Sequence, residues 1–298
     1  MKALVTGVSG FIGPHIVEAC LAAGMEVIGI DKNDYPYERP EGFSFTQMDV
    51  RDLTPERMHV DYVIHLAFVT NIPFSIEHPL ETTRDNIDMT AFALDWAAKT
   101  KVKKFVFSST ASLYGNNPPP WREDMPSDAI EPYCWQKFCG EAACRMWAAR
   151  YGLPTVSLRL FQVYGENQRH DTAFAKFFNA KRTGKPIELI ETTAQSTFRT
   201  GQRDFIYVKD VAEAFVRACL SDKVGKGEIV NVGTGIVRTM EDVAKAILGD
   251  DGNVVFKPQR KWEVERHEAD ITAARTLLGW EPKATDVLAW LRHHVSTF

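Results

Sequence analysis

A doubly wound α/β fold around a parallel sheet is the architecture this chain predicts. Three observations lead there: short apolar runs alternate with amphipathic stretches through the first half, a glycine-rich turn joins the first run to the first helix, and the pattern changes after Leu160. Strands are expected at Lys2–Thr6, Glu26–Asp31, Phe43–Gln47, Tyr62–Leu66, Lys104–Ser108 and Thr155–Leu160. Helical spacing of apolar residues runs over Phe11–Ala23, Leu80–Thr100 and Tyr133–Tyr151, with Gly24 and Gly152 placed as helix stops. Beyond Leu160, Tyr164–Gln168 reads as a polar loop, Asp171–Thr183 as a helix, and the stretch through Arg203 as polar and Thr-rich. Helices at Val211–Leu220, Thr239–Leu248 and Ile271–Leu278, with strands near Glu228–Asn231 and Val254–Lys257, complete a smaller α/β lobe. The expected division is residues 1–165 and 166–298. Because Phe205–Val208 and Ile229–Val232 are short and apolar, segments near 205–235 are expected to return to the first domain.

With 298 residues, 45% hydrophobic and 25% charged, the chain can bury a full-sized core. A formal net charge of -4 argues against a general grip on nucleic acid or an anionic membrane, so an anionic ligand must be met by local positive groups. The five cysteines (Cys20, Cys134, Cys139, Cys144 and Cys219) have no CxxC spacing and read as thiols in a reducing compartment; no metal is implied. The first motif starts at Ala3, leaving no room for a signal peptide ahead of it, and no apolar run approaches the ~20 residues of a membrane span. A cytoplasmic location is therefore expected.

Gly7, Gly10 and Gly13 lie where the first strand turns into a helix N-terminus, in Thr6-Gly7-Val8-Ser9-Gly10-Phe11-Ile12-Gly13. Gly7 suits the tight turn, Gly10 the approach of backbone to a pyrophosphate, and Gly13 close helix packing, with the positive helix end facing the anion. Asp31 ends the second strand about 20 residues past the loop, where a carboxylate accepts from ribose hydroxyls. Together these predict a Rossmann sheet holding a nicotinamide dinucleotide. Asp31 repels a 2′-phosphate and so favours NAD over NADP, a preference that Lys32 weakens. Asp49-Val50, after the third strand, reads either as an adenine-edge contact or as a surface carboxylate with its neighbour.

Tyr133 and Lys137 open a helix at i, i+4 and so share a face. A phenol titrates near ~10, and an ammonium a few Å away lowers that by roughly one to three units, giving a usable acid/base beside a nicotinamide. The pair follows the fifth strand, whose end carries Ser108, Ser109 and Thr110. Ligands of open α/β sheets bind beyond such carboxyl ends, and the Thr110 hydroxyl can share the substrate oxygen that Tyr133 handles. Ser108 is expected in the cofactor cleft without a chemical role.

In series, these residues resemble an extended short-chain dehydrogenase/reductase of the nucleotide-sugar epimerase/dehydratase kind, in pattern like the UDP-glucose/UDP-galactose 4-epimerases. The likeness runs from the glycine turn through Asp31, His65-Leu66-Ala67, Asn86, Ser108-Ser109-Thr110, Tyr133 with Lys137, Arg203-Asp204-Phe205 and Asn231-Val232-Gly233 to Leu278-Gly279-Trp280. It implies Thr110, Tyr133 and Lys137 as the catalytic trio, with Lys137 also on the nicotinamide ribose. Phe11, Ile12, Leu66, Ala67, Phe68 and Asn86 then belong to the cofactor site. Arg203 and Arg260 would clamp a substrate diphosphate. Ala173 and Phe174 would pack on the nucleobase, and Glu263 reads equally as a ribose contact or a surface carboxylate.

Three places depart from the family pattern. Gln162 stands where the family has Asn, Ile190–Gln202 is longer than the usual turn and suggests an extra flap or interface element, and Arg260-Lys261-Trp262-Glu263 replaces an Arg-Pro-Gly-Asp pattern. Dehydratases and decarboxylases of the family carry an acidic residue just after the Ser/Thr, where this chain has Ala111 and Ser112. The resemblance thus implies a 4-epimerase: hydride leaves C4 of a nucleoside-diphosphate sugar, the 4-keto sugar turns, and hydride returns to the other face. A reductase or dehydrogenase exchanging its cofactor is the rival, and a catalytically silent NAD-binding scaffold the reading of another class. Phe92, Trp96, Phe138, Met146 and Trp147 on the second and third helices serve either the core or, as the resemblance implies, a homodimer interface.

Overall fold

The computed structural model describes residues 1–55, 58–168, 172–193, 196–249, 252–259 and 264–295. In chain order, β1 (Lys2–Thr6), α1 (Gly13–Ala22), β2 (Glu26–Asp31), β3 (Phe43–Gln47), β4 (Tyr62–His65), α2 (Ile72–Glu77), α3 (Pro79–Thr100), β5 (Lys104–Thr110), α4 (Pro132–Tyr151) and β6 (Thr155–Leu160) build the larger part. There follow β7 (Gln162–Tyr164), α5 (Ala173–Thr183), β8 (Ile187–Ile190), β9 (Gln202–Tyr207), α6 (Val208–Leu220), β10 (Lys226–Val232), β11 (Val237–Thr239), α7 (Met240–Leu248), β12 (Val254–Lys257) and α8 (Val287–His294).

The main sheet runs β3-β2-β1-β4-β5-β6-β10, every neighbouring pair parallel. Every residue of β5 and β6 is buried, as expected of central strands covered on both faces. Alternation along the strands divides two cores. Ala3, Val5 and Val106 pack with Ile16 and Val17 of α1 and Val211 and Phe215 of α6, while Leu4, Phe105 and Phe107 pack with Met89 and Leu94 of α3 and Cys144 of α4. A third core, around Phe174, Phe177, Phe178, Phe205, Val243 and Leu291, belongs to the smaller lobe, whose strands form β11-β9-β7 and β12-β8 sheets.

Differences from the sequence reading have local causes. The first helix starts at Gly13 rather than Phe11, because Phe11 and Ile12 are still in the turn out of β1. The fifth strand continues two residues past the expected Ser108, to Thr110, so Ser109 and Thr110 belong to the strand itself. Gln162–Tyr164 pairs with Phe205–Tyr207 instead of starting a loop, and β9 stays in the small sheet, so that of the two short apolar segments only Ile229–Val232 lies in the main sheet. Ile187–Ile190 was hidden in a polar stretch; it pairs with Val254–Lys257 and buries Ile187 and Leu189. Ala274–Leu278 is a wide, π-type turn. All five cysteines are free thiols, four of them buried, and no helix among the described residues is long and apolar enough to cross a membrane.

One buried ion pair fixes α4 on the sheet. Arg159 of β6 donates through Nε (2.8 Å) and Nη2 (2.8 Å) to Glu141 of α4, which also accepts from Ser109 Oγ of β5 at 2.6 Å. Both charged side chains are at most 2% exposed. Removing one partner of such a pair strands the other charge in the core, whereas removing both does not. Glu141→Leu is therefore expected to lower the unfolding free energy by about 3–5 kcal/mol, and the Glu141→Leu/Arg159→Met double variant to recover most of it. Denaturant unfolding followed by circular dichroism measures this; additive losses in the double variant would contradict the coupling.

Candidate active site

A cleft of about 850 Å³ opens at the carboxyl ends of β1, β2, β4, β5 and β6. It sits where connections from β1 run one way to β2 and those from β4 run the other, the switch point at which open parallel sheets bind ligands.

One end is built by the glycine turn. A Cβ on Gly7, whose φ is +70°, would lie 2.5 Å from the Ala67 nitrogen, and one on Gly13 would lie 2.0 Å from the Val8 carbonyl oxygen. Gly10 differs, since a Cβ there meets nothing nearer than 3.4 Å and the position faces the cleft. Helix α1 has no side-chain N-cap, so no side chain occupies the amides of its first turn, where Pro14 carries none. Asp31 lines the same end, its carboxylate fixed by the Ser9 amide (3.0 Å) and the Asn33 amide (2.9 Å). Phe11, Ile12, Lys32, Asp49, Val50, Leu66, Ala67, Phe68 and Ser108 line the cleft as well. Asp49 accepts from Arg51 Nε (2.9 Å) and Nη2 (2.7 Å), and those bonds hold its carboxyl below the usual range. Asn86 does not reach the cleft. It is fully buried, accepting from the Val69 amide at 2.6 Å and donating to the Val69 carbonyl at 3.2 Å, and so holds the loop that lines the cleft.

At the other end of the cleft, beside the carboxyl end of β5, Thr110, Tyr133 and Lys137 converge. Thr110 Oγ1 accepts from the Ser112 amide at 3.2 Å, and among the described residues its own hydroxyl hydrogen has no acceptor, which leaves it to donate into the cleft. Tyr133 sits in the first turn of α4, and the Lys137 ammonium lies 5.9 Å from its ring centre. Lys137 is 2% exposed and donates to the Ser108 carbonyl at 2.6 Å. Burial pulls its pKa down to about 7, against the pull of Glu141.

Toward the smaller lobe the sequence reading is corrected. Phe174 is buried in the lobe core, 5.0 Å from the Phe205 ring, and Ala173 is not part of the cleft wall. Helix α5 begins at Ala173 on a Thr172 cap, and it is Thr172 and Lys176, one turn apart, that face the cleft. Gln162 also faces it. Arg203 is turned onto backbone, donating through Nη1 to the Gln202 (2.9 Å) and Glu265 (3.3 Å) carbonyls, outside the cleft wall. Arg260 and Glu263 lie outside the described residues. The long 190–202 segment folds back through a Glu191–Thr200 bridge and is tied by the Thr193 amide to Glu265 (2.7 Å); none of its described residues lines the cleft. Sequence reasoning also missed the wall formed by Val69–Pro73, for which the signal was present: Asn71 caps α2 by accepting from the Phe74 amide, with Pro73 in the first turn.

Residues 3–233 match the model of the NAD dependent epimerase/dehydratase family. A UDP-glucose 4-epimerase of Mycolicibacterium smegmatis is 31% identical, with 95% of this chain and 94% of that protein aligned. The UDP-glucose 4-epimerase of Thermotoga maritima, solved with UDP-glucose, superposes with a TM-score of 0.86 at 31% identity over 99% of this chain and 98% of its own. The UDP-glucuronic acid 4-epimerase of Bacillus cereus, solved with UDP-glucuronic acid and NAD, gives 0.88 at 28% identity over 100% and 99%. With its parallel sheet, glycine turn and Thr–Tyr–Lys cluster, the chain belongs to the NAD-dependent epimerase/dehydratase family, within the extended short-chain dehydrogenases/reductases.

Proposed function

We propose that the protein is a 4-epimerase of a nucleoside-diphosphate sugar that keeps NAD bound through the cycle. The observation that carries this reading is the convergence of Thr110, Tyr133 and Lys137 on one cleft whose far end is an open glycine turn with a ribose-type carboxylate. Two similar structures contain UDP-sugars, one of them with NAD, which favours a UDP-linked substrate. Ala111 and Ser112, in place of an acidic residue after Thr110, favour epimerisation over elimination.

The residues fit the dinucleotide: Gly10 and the uncapped α1 end for the pyrophosphate, Asp31 for the adenosine ribose, Lys137 for the nicotinamide ribose. Bound there, NAD supplies the position that accepts and returns the C4 hydride. Tyr133, with the Lys137 ammonium 5.9 Å from its ring centre, takes the proton of the sugar hydroxyl as the hydride leaves. Thr110 donates to the same oxygen while it becomes a carbonyl. Tyr133 returns the proton once the sugar has turned, and Gln162, Thr172 and Lys176 form the wall against which it turns.

Release and identification of the co-purifying cofactor, followed by incubation with a panel of UDP-sugars, tests this. Epimer formed without net reduced nicotinamide is expected; stoichiometric consumption of reduced cofactor would point to a reductase instead. Tyr133→Phe is expected to cut kcat roughly 100- to 10,000-fold with the cofactor still bound, and Thr110→Val by about tenfold or more. Equal turnover in both variants would remove them from the chemistry.

Lys137 also couples function to stability. Its pKa of about 7 in the folded chain lies below the ordinary 10.5, so its burial is unfavourable below pH 7, and that loss fades as pH rises from 7 to 10.5, where the unfolded chain still holds the proton. Lys137→Met is expected to abolish turnover yet raise the melting temperature of the cofactor-free protein by a few degrees near pH 6–7, with the gain shrinking toward pH 10. Calorimetry across that range checks it, and a gain independent of pH would contradict the assignment.

The exposed face of α3 and α4 supports a homodimer. Trp96 is core and Trp147 packs partly against it, but Phe92 is 51%, Met146 42% and Phe138 37% exposed, with Trp135 beside Phe138 and Met146 on one face of α4. Sedimentation of the wild type is expected to give a dimer and that of Phe92→Glu/Met146→Glu a monomer; a wild-type monomer at micromolar concentration rules it out.

A further inference from the structure

The Lys137 ammonium has three donors, and among the described residues only one acceptor, the Ser108 carbonyl. Its remaining surroundings are aromatic. The Phe68 ring centre is 3.6 Å from Nζ and that of Phe107 is 4.9 Å away. Phe68 also meets Tyr133 edge to face, with ring centres 5.9 Å apart, so a single ring touches both members of the pair. Its placement is enforced from the next residue: Val69 is bonded through both its amide and its carbonyl to Asn86, which donates to Gln136 Oε1 at 2.7 Å, and Gln136 in turn donates to Thr82 and Thr83, each at 3.0 Å. Asn86, Gln136 and Thr82 are fully buried.

Of the other groups around the ammonium, Glu141 pulls its pKa up but not enough to offset burial. From β4, His65 is held neutral, its pKa lowered to about 3 by burial and then by Lys137 itself. From α4, Cys144 is a protonated thiol pushed up to about 12 by burial, and the Glu141 carboxylate is already engaged by Arg159 and Ser109. We propose that Phe68 is a positioning residue for the proposed reaction: its ring face, fixed by the Asn86–Val69 clamp, keeps the Lys137 ammonium charged and confined beside Tyr133. The quadrupole of an aromatic face attracts a cation, most strongly where water is excluded. The role in turnover rests on the epimerase reading; the contact itself does not.

The test labels lysine Cε with carbon-13 and follows Lys137, assigned with Lys137→Arg, through a pH titration by NMR, alongside the pH profile of kcat for the cofactor-loaded enzyme. Phe68→Leu keeps bulk and loses the aromatic face, so the Lys137 midpoint is expected to fall by about one pH unit, and the alkaline limb of kcat to fall with it. Phe68→Tyr is expected to restore both. Should Phe68→Leu fail to fold, Asn86→Ser, which frees Val69 without altering either ring, is expected to shift the midpoint in the same direction. An unmoved midpoint in a folded variant, or a midpoint that moves while the kcat limb stays, overturns the proposal. A wild type that epimerises no UDP-sugar refutes the function alone, since the titration still decides whether the ring holds the charge.

Discussion

The Glu141 carboxylate accepts from Arg159 twice and from Ser109 once, in a region that water does not reach, and helix α4 cannot leave the sheet without breaking all three bonds. Gly140, next to it, lets α4 come so close that a Cβ there would lie 2.4 Å from the Phe107 ring. The two features set both the height and the rotation of the helix over β5. One turn earlier the same rotation points Lys137 at the Ser108 carbonyl, and two turns earlier it points Tyr133 at the cleft. The geometry of the proposed chemistry is thus inherited from a buried ion pair that touches no ligand. A buried pair is a poor source of net stability but discriminates strongly against alternative packings, because any shift leaves a charge unpaired.

Tension between stability and function is visible at the next level. Around Lys137 the protein has placed an ammonium where solvation is lost and, among the described residues, a single carbonyl accepts from it; burial pushes its pKa down to about 7. A methionine would fit such a place with less strain on the fold, and its absence is intelligible only if the charge is used. The same holds at Gly10. Nothing crowds that position from inside the protein, unlike Gly7 and Gly13, and under the proposed function the room that glycine leaves there is room for the pyrophosphate.

How much of this was legible beforehand depends on whether a feature is local. Strands β1, β2, β3 and β6 have the boundaries expected from alternation and turn residues, and the glycine turn, Asp31, Thr110, Tyr133 and Lys137 announce themselves by position relative to those strands. Features set by tertiary packing were not readable. Whether Phe174 or Lys176 of α5 faces the cleft depends on how the helix rolls against β9, and an aromatic residue on an amphipathic helix is consistent with either side until the Phe205 contact is known. Asn86 could be placed near the site by resemblance, but its bonds to Val69 and Gln136 cross between elements far apart in sequence. Strand β8 escaped because its partner, β12, lies more than sixty residues further on.

The cleft draws its main-sheet part and its small-lobe wall from different parts of the chain, and this bears on how the family varies. Glycine turn, Asp31 and the Thr–Tyr–Lys cluster all stand on the main sheet or on the turn and helix packed against it, whereas Gln162, Thr172 and Lys176 come from the chain after β6, on or next to the small lobe. The lobe is anchored by its own polar hubs. Asp204 accepts from the amides of Thr234, Gly235 and Ala269, and Asp210 from those of Lys283 and Ala284. A substitution on α5 can therefore change the cleft wall without disturbing the hydrogen bonds that hold α4. Similar structures that carry UDP-glucose in one case and UDP-glucuronic acid in another superpose on this chain almost equally well, as expected if sugar recognition varies on a scaffold whose proton-transfer geometry stays fixed.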